Sequence, residues 1–212
     1  MARKASAKRA RAKRASTPAD PEAAGIEAAL RLAAERGWAN LSLAEIAAEA
    51  GVPMSEFYQH FPSRQAILTR LSRRTDLEVL ASVDTDPPEG DARERLFDVL
   101  MRRFDALQPY RDGLRAVARA TSRDPLALTC GVAGLNRSMA AMLEAAGTPA
   151  SGLSGLLRVH GLTAVYLAAF RTWLRDESED RSQTMAVLDR ALRRADFCLS
   201  AMARRRPRTR AA

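Results

Sequence analysis

Metal and redox chemistry have little to work with in this chain. Two cysteines, Cys130 and Cys198, and two histidines, His60 and His160, are spread through 212 residues. Without a C-x-x-C pair or a histidine pair at ligand spacing, they exclude a zinc finger and a disulfide framework and offer no metal site. Both cysteines read as small buried hydrophobes. The histidines stand too far apart for a nucleophile–base pair, and no Gly-rich phosphate loop is present, so no catalytic residue, no cofactor and no enzyme activity are expected. The sequence also lacks an uninterrupted apolar run of about 18 residues, and its start has no apolar signal core. Neither a membrane span nor a secretion signal is therefore expected, and a cytoplasmic location follows. Aromatics are few, whereas Ala, Leu, Arg and Glu abound, and these are strong helix formers. An all-α protein is the natural expectation.

The formal net charge is +9, but it is unevenly placed. Seven cations (Arg3, Lys4, Lys8, Arg9, Arg11, Lys13, Arg14) lie at the start, and Arg204, Arg205, Arg206, Arg208 and Arg210 lie at the end. Setting these twelve aside leaves 22 basic and 25 acidic residues, a net of −3, in the stretch between. Residues 1–19 thus read as a disordered basic arm and 205–212 as a basic tail. The arm suits phosphate tracking or minor-groove entry, with Arg9, Arg11, Lys13 and Arg14 as its DNA contacts. A solubilising extension and an organellar transit peptide are the other readings of an acid-free, Arg-bearing start.

Apolar spacing predicts helices almost throughout, punctuated by Pro, Gly and Asp. The first spans about Asp20 to Arg36, with Pro21 in its first turn, and Gly37 ends it. Ser42-Leu43-Ala44-Glu45 has the form of a capping box, so a second helix starts near Leu43 and stops before Gly51. A short third helix runs from about Met54 to His60, and Ser63 caps a long fourth that reaches roughly Val83. Two short helices joined by the tight turn Ala50-Gly51-Val52 have the form of a helix-turn-helix. Ala47 and Ala50 let them approach, and Ile46, Val52, Phe57 and Phe61 supply the buried side.

The order of motifs is A-A-L-R-L-A-A-E-R-G-W, then L-S-L-A-E-I-A-A-E-A-G-V, then F-Y-Q-H-F-P-S-R. Between Gly25 and Leu68 it closely resembles the DNA-binding domain of the TetR family. The resemblance implies a DNA-binding domain over 20–82, and a helical ligand-binding and dimerisation domain over 83–204. It implies that Tyr58 and His60 contact phosphates, and that Ser42 and Arg64 grip the DNA backbone on either side. Met54, Ser55, Glu56 and Gln59 fall where the family's third helix faces base edges; Gln59 suits adenine and Glu56 a cytosine amino group. Structural packing is the competing reading of Tyr58 and His60. The partners implied are double-stranded DNA with a palindromic operator, a second copy of the chain, and a small-molecule effector that releases a repressor. The fourth helix, joining head to body, would be the lever between effector and DNA.

The sequence departs from that pattern at Pro53-Met54-Ser55-Glu56. A hydroxyl cap and a cation are absent there, and Glu56 would face an anionic duplex.

Beyond Asp86-Pro87-Pro88-Glu89-Gly90 five more helices are expected: Asp91 to Leu107, Tyr110 to Thr121, Pro125 to Ala146, Ser151 to Arg175 and Asp180 to Arg204. In the last, Met185, Leu188, Leu192, Ala195, Leu199 and Met202 form a 3-4-3-4-3 seam for pairing helices. Together with Leu157 and Ala164 of the preceding helix, they are the expected dimer interface, with an intrachain core as the alternative. Met101, Phe104, Tyr110, Met139, Met142, Tyr166 and Phe170 could line an apolar ligand pocket, and could equally be core. Leu107 and Trp173 belong to the same set. His160 reads as a core or interface residue.

The stretches R-L-F-D-V-L-M-R-R-F-D-A-L-Q-P-Y-R-D-G and Y-L-A-A-F-R-T-W-L-R-D-E-S-E-D are loosely similar to an accessory protein of ubiquinone biosynthesis. That family has a TetR-like fold and binds isoprenoid lipid. The similarity favours a lipid-like or quinone-like effector, and it supplies a rival: a lipid-binding protein without operator recognition.

Residues 20–80 carry six basic side chains against nine acidic ones. Counterion release by such a head is weak, so the arm is expected to supply much of the DNA affinity. Deleting residues 1–15 should flatten the log–log salt dependence of binding by about 0.9 for each phosphate the arm neutralises. An unchanged slope in filter-binding titrations would defeat this.

Overall fold

The computed structural model describes residues 18–122 and 125–205, with the backbone alone at 125–128, 130 and 198–205. The four arm cations, the basic tail and the side chains of Cys130, Cys198, Leu199 and Met202 lie outside the described residues. Every regular element among the described residues is helical. In chain order these are α1 (Pro21–Arg36), α2 (Leu43–Glu49), α3 (Met54–His60), α4 (Arg64–Thr85), α5 (Ala92–Leu107), α6 (Arg111–Thr121), α7 (Pro125–Ala145), α8 (Gly152–Trp173) and α9 (Ser182–Arg205). Short 3-10 turns occupy Trp38–Asn40 and Gln108–Tyr110.

The chain divides into two compact units. One comprises residues up to Leu71 and Asp112–Pro125, the other Ser72–Arg111 and the residues from Leu126 onward. Helix α6 thus joins the first unit. Gly113 makes this possible: a Cβ there would lie 2.4 Å from the Leu30 carbonyl oxygen, so only glycine lets α6 approach α1 so closely.

In the first unit α1 is capped by Asp20, whose carboxylate accepts from Ala23 N–H, and Pro21 fills a first-turn position that needs no donor. Ile26, Ala29, Leu30 and Ala33 are buried, and so are Ile46, Phe57 and Phe61. Burying each large side chain contributes about 1.5–3 kcal/mol. Gly25 faces the two phenylalanines, and a Cβ on it would sit 2.5 Å from Phe61 Cε2 and 3.0 Å from Phe57 Cε2.

In the second unit α8 and α9 form the most extensive helix pair. Leu162, Val165, Tyr166, Ala169 and Trp173 of α8 and Thr184, Leu188 and Leu192 of α9 are buried. The expected starts at Tyr110 and Asp180 prove early. Tyr110 closes a 3-10 turn, while Arg181 has φ 56° and Asp180 accepts from Ser182 N–H, so α9 begins only at Ser182. The other limits lie within two residues of those expected from the sequence.

Asp176 fixes the connection between α8 and α9. Its carboxylate accepts from the backbone N–H and hydroxyl of both Ser178 and Thr184, and Arg111 donates to its carbonyl oxygen. Burial pushes its carboxyl up, but the Ser178 and Thr184 hydrogen bonds outweigh this and hold it at about 2, below its usual 3.8. Because the folded value is the lower one, the stabilisation is complete above the unfolded value and is lost as the pH falls through the folded one. Although Asp176 is inaccessible, it lies in a surface connection where solvent screens part of the effect. Asp176→Asn should therefore cost about 1–2 kcal/mol at neutral pH. Urea unfolding should show the gap to the parent closing as the pH falls from 3.8 toward 2.

Candidate functional site

The first unit sets a short helix, exposed on one side, on a buried floor. Its second helix opens with the capping box the sequence predicts: Glu45 N–H donates to Ser42 Oγ at 3.2 Å, and Ser42 N–H donates to Glu45 Oε2 at 2.9 Å. The Ser42 hydroxyl also donates to Glu45 Oε2, at 2.7 Å. These bonds, side chain first and backbone next, hold the Glu45 carboxyl below its ordinary value. The helix closes on Gly51, whose φ of 67° suits glycine. Val52 N–H reaches Ala47 O at 3.0 Å and Gly51 N–H reaches Ala48 O at 3.2 Å. This pairing satisfies the last carbonyls of α2 and reverses the chain, while Val52 and Ala47 are buried together. A short, defined turn between α2 and α3 results.

On α3 the periodicity separates two faces. Phe57 is fully buried, and its ring lies 4.9 Å from that of Phe61. On the outer side Met54, Ser55, Tyr58 and Gln59 are exposed, Met54 at 42% and Tyr58 at 55%. Glu56 and His60 are half-buried on the flanks, and the His60 ring lies 6.2 Å from Phe61. Tyr58 thus presents its phenol to solvent, contrary to a packing role. Pro53 provides no side-chain cap, in line with its missing hydroxyl.

Arg64 has partners within the chain. Its Nη1 donates to Trp38 O at 2.6 Å and Ala39 O at 2.9 Å, and the guanidinium lies 5.9 Å from the Trp38 ring centre. Standing at the start of α4, it clamps the 3-10 turn that leads into Ser42. Sequence spacing offers no sign of this duty, because the partners are more than twenty residues away. Three other cations of the head are also occupied: Arg31 pairs with Glu49 at 2.6 Å, Arg36 with Glu45 at 3.9 Å and Arg70 with Glu22 at 3.5 Å.

In the second unit Phe104, Met139, Met142 and Tyr166 are buried, and Met101, Tyr110 and Phe170 are half-buried. Phe104 stacks on Tyr166 at 5.1 Å, and Phe170 and Trp173 continue the ladder at 5.8 and 5.4 Å. These side chains pack against one another. Two open clefts of the same unit, of about 380 and 400 Å³, are lined by other residues, among them Phe97 with Asp189 and Ser82 with Arg102.

The expected dimer seam is divided. Leu188 and Leu192 are 0% and 4% exposed, so they belong to the intrachain contact with α8 and cannot meet a second copy. Met185 and Ala195 are half-buried. Leu157 and Ala164 of α8 are exposed, and so are Leu153, Leu156, His160 and Ala168. Helix α8 is long and apolar enough to cross a membrane, with a mean hydropathy of 1.4, yet 39% of that window is buried within the fold.

The family model for bacterial regulatory proteins of the tetR family matches residues 26–71. A TetR transcriptional regulator from Nitrosomonas europaea is 27% identical, with a TM-score of 0.69 over 84% of this chain and 99% of its own. The head, residues 26–71, is similar to the tetR family of bacterial regulatory proteins, and the chain shares the fold of such regulators. The fold is shared with a TetR transcriptional regulator from Rhodococcus sp. RHA1, 20% identical, TM-score 0.60, over 82% of this chain and 94% of that one. It also recurs in a TetR-family regulator from Streptomyces coelicolor, 20% identical, TM-score 0.53, over 86% and 83%. No curated protein matches the sequence. The helix-turn-helix of this TetR-like head is a DNA-binding element, and the protein has the fold of a transcriptional regulator.

The clamp at Arg64 has a measurable signature in this TetR-like head. Arg64→Gln should lower thermal stability by about 1–2 kcal/mol, the worth of two charge-assisted bonds in a half-exposed setting. The log–log salt slope of DNA binding should change by less than the 0.9 or so that one lost phosphate contact produces. Calorimetric melting and salt titrations of the same variant separate the two roles.

Proposed function

We propose that the protein is a sequence-specific repressor that binds a palindromic operator as a homodimer in the cytoplasm and is released by an apolar small molecule. The carrying observation is the division of α3, with Phe57 buried and Met54, Ser55, Tyr58 and Gln59 outward. An α-helix fits the major groove, so these outward side chains are suited to base edges, with Gln59 on adenine and Glu56 on a cytosine amino group. Tyr58 and His60 then fix register on phosphates, and Arg9, Arg11, Lys13 and Arg14 add electrostatic attraction from the arm. Ser42 and Arg64 contribute by holding the approach to α2, the Ser42 hydroxyl and Arg64 Nη1 being engaged within the chain.

Two-fold pairing is supported by the outer face of α8. Leu153, Leu157, His160, Ala164 and Ala168 follow one another at helical spacing and are exposed, leaving an apolar stripe with small residues that permits close approach of a second copy. The effector would enter among Met101, Phe104, Tyr110, Met139, Met142, Tyr166 and Phe170, whose methionines can repack around a ligand. A lipid-like or quinone-like body suits such a lining. Its release of DNA requires unequal affinity for two states of the protein, and α4 is the chain segment shared by the two units.

The rival reading, a lipid binder that has lost operator recognition, is favoured by the uncapped start of α3, by Glu56 and by the engaged cations of the head.

Selection of bound duplexes from a random pool at near-physiological salt tests the proposal. A palindrome with half-sites about one helical turn or a multiple apart is expected. Leu157→Asp should convert a dimer to a monomer in light scattering and weaken operator binding at least about tenfold. Absence of any preferred duplex, with lipid co-purifying, would decide for the rival.

A further inference from the structure

The interior of the second unit contains a charge that an apolar helical core does not need. Arg103 of α5 is 2% exposed, and a guanidinium stays protonated wherever it is placed. It pairs with Asp76 of α4, and its Nη2 donates to Ser72 Oγ at 3.1 Å. Ser138 of α7 donates to the other Asp76 oxygen at 2.6 Å and lies 3.0 Å from Ser72 Oγ. The Nε of Arg103 is buried and has no hydrogen-bond partner among the described residues. Buried ion pairs of this kind are often matched or bettered in stability by apolar residues, so they call for an explanation other than stability.

Two features of the cluster point to a ligand. The first is an asymmetry in access to water: the Arg103 side chain is 3% exposed and that of Asp76 is 18%. Arg103 therefore always requires an anion, whereas Asp76 can turn toward solvent if another anion replaces it. The second is the neighbouring surface. The Arg103 guanidinium lies 5.5 Å from the Tyr166 ring, which stacks on Phe104 with an interplanar angle of 7°, and Met139 adjoins Ser138 in sequence. Burial raises the Tyr166 phenol above its ordinary value, against the opposing influence of Arg103, so the ring stays neutral.

We infer that Arg103 is the anchor of the effector site, and that the effector is an apolar, ring-bearing monocarboxylate whose carboxylate replaces Asp76. The inference rests on the effector reading above and narrows it to an acid. In the bound state the ligand oxygens accept from Arg103 and from Ser72 or Ser138, its rings lie among Phe104, Tyr166 and the methionines, and Asp76 turns to water. No bond is made or broken.

The test compares 2-naphthoate with 2-naphthamide, which share their rings and differ in charge, by calorimetric titration of the full-length protein. Naphthoate should bind at least about tenfold more tightly than the amide, and Arg103→Gln should bring the two within about twofold. Asp76→Asn removes the internal competitor, so naphthoate should bind it more tightly and raise its melting temperature more than it raises that of the parent. Equal binding of acid and amide would overturn the carboxylate assignment, yet if both still weakened operator binding the effector reading would stand. A preference for the acid that survives Arg103→Gln would overturn the role of Arg103. Absence of naphthoate binding to both the parent and Asp76→Asn would overturn the inference as a whole, while operator selection would remain a separate test of DNA recognition. Should Arg103→Gln fail to fold, Asp76→Asn decides: a melting shift no larger than the parent's sinks the proposal.

Discussion

The contact of Phe57 and Phe61 with Gly25 is the constraint on which the placement of α3 depends. A seven-residue helix has too few internal hydrogen bonds to hold itself in water, so α3 exists because one side of it is pinned to α1. Glycine at position 25 brings the rings close to the α1 backbone, and the Gly51 turn sets where α3 must start. With the inner face fixed, the identity of the outer face is decided by helical geometry alone. Met54, Ser55, Tyr58 and Gln59 could vary without disturbing the floor.

The head carries its charge economically. Arg31, Arg36 and Arg70 pair with acids of the same unit, and Arg64 is spent on two carbonyls. Exposed pairs of this kind contribute only a few tenths of a kcal/mol each to about 1 kcal/mol. Their larger consequence is electrostatic: cations already facing carboxylates attract a phosphate chain weakly. Under the function proposed, affinity and register are divided, with long-range attraction left to residues 1–14 and positioning to the folded head.

Much of the architecture was legible in the sequence because its punctuation is chemical. Asp20-Pro21, Ser42 with Glu45, and Gly51 act through local hydrogen bonds and backbone preferences, and each appears where its spacing implies. The buried side of α3 was legible in its apolar Phe57, whereas its outward side was implied by the resemblance. What periodicity does not reveal is which partner covers an apolar stripe. The Met185, Leu188, Leu192, Ala195 seam reads equally as an intrachain or an intersubunit contact, and the structure gives Leu188 and Leu192 to the former. Pairs joined across long sequence separations were equally hidden. Nothing near Arg103 announces Asp76 or Ser138, and Arg64 gives no sign of its hold on Trp38 and Ala39, because such pairings arise only when helices pack. The place of α6 in the first unit has no local signal either, because it hinges on a single close approach, Gly113 against Leu30.

Helix α8 shows how two demands on one helix produce an ambiguous composition. A surface helix is normally polar on the side away from its core, and one that is apolar all round needs a second partner. The inward side of α8 carries Leu162, Val165, Tyr166, Ala169 and Trp173 against the rest of its unit. Its outward side is not uniformly greasy as a lipid-facing surface would be: Ala164 and Ala168 are small, His160 holds Leu156 O at 2.8 Å through Nδ1, and Arg158 donates to Pro149 O at 3.0 Å. Small residues flanked by leucines suit another helix at close range, whereas a charged side chain seven residues into the segment is costly at membrane depth. A hydropathy that would pass for a membrane span is therefore accounted for by the intrachain contact on one side of the helix together with the proposed second copy on the other.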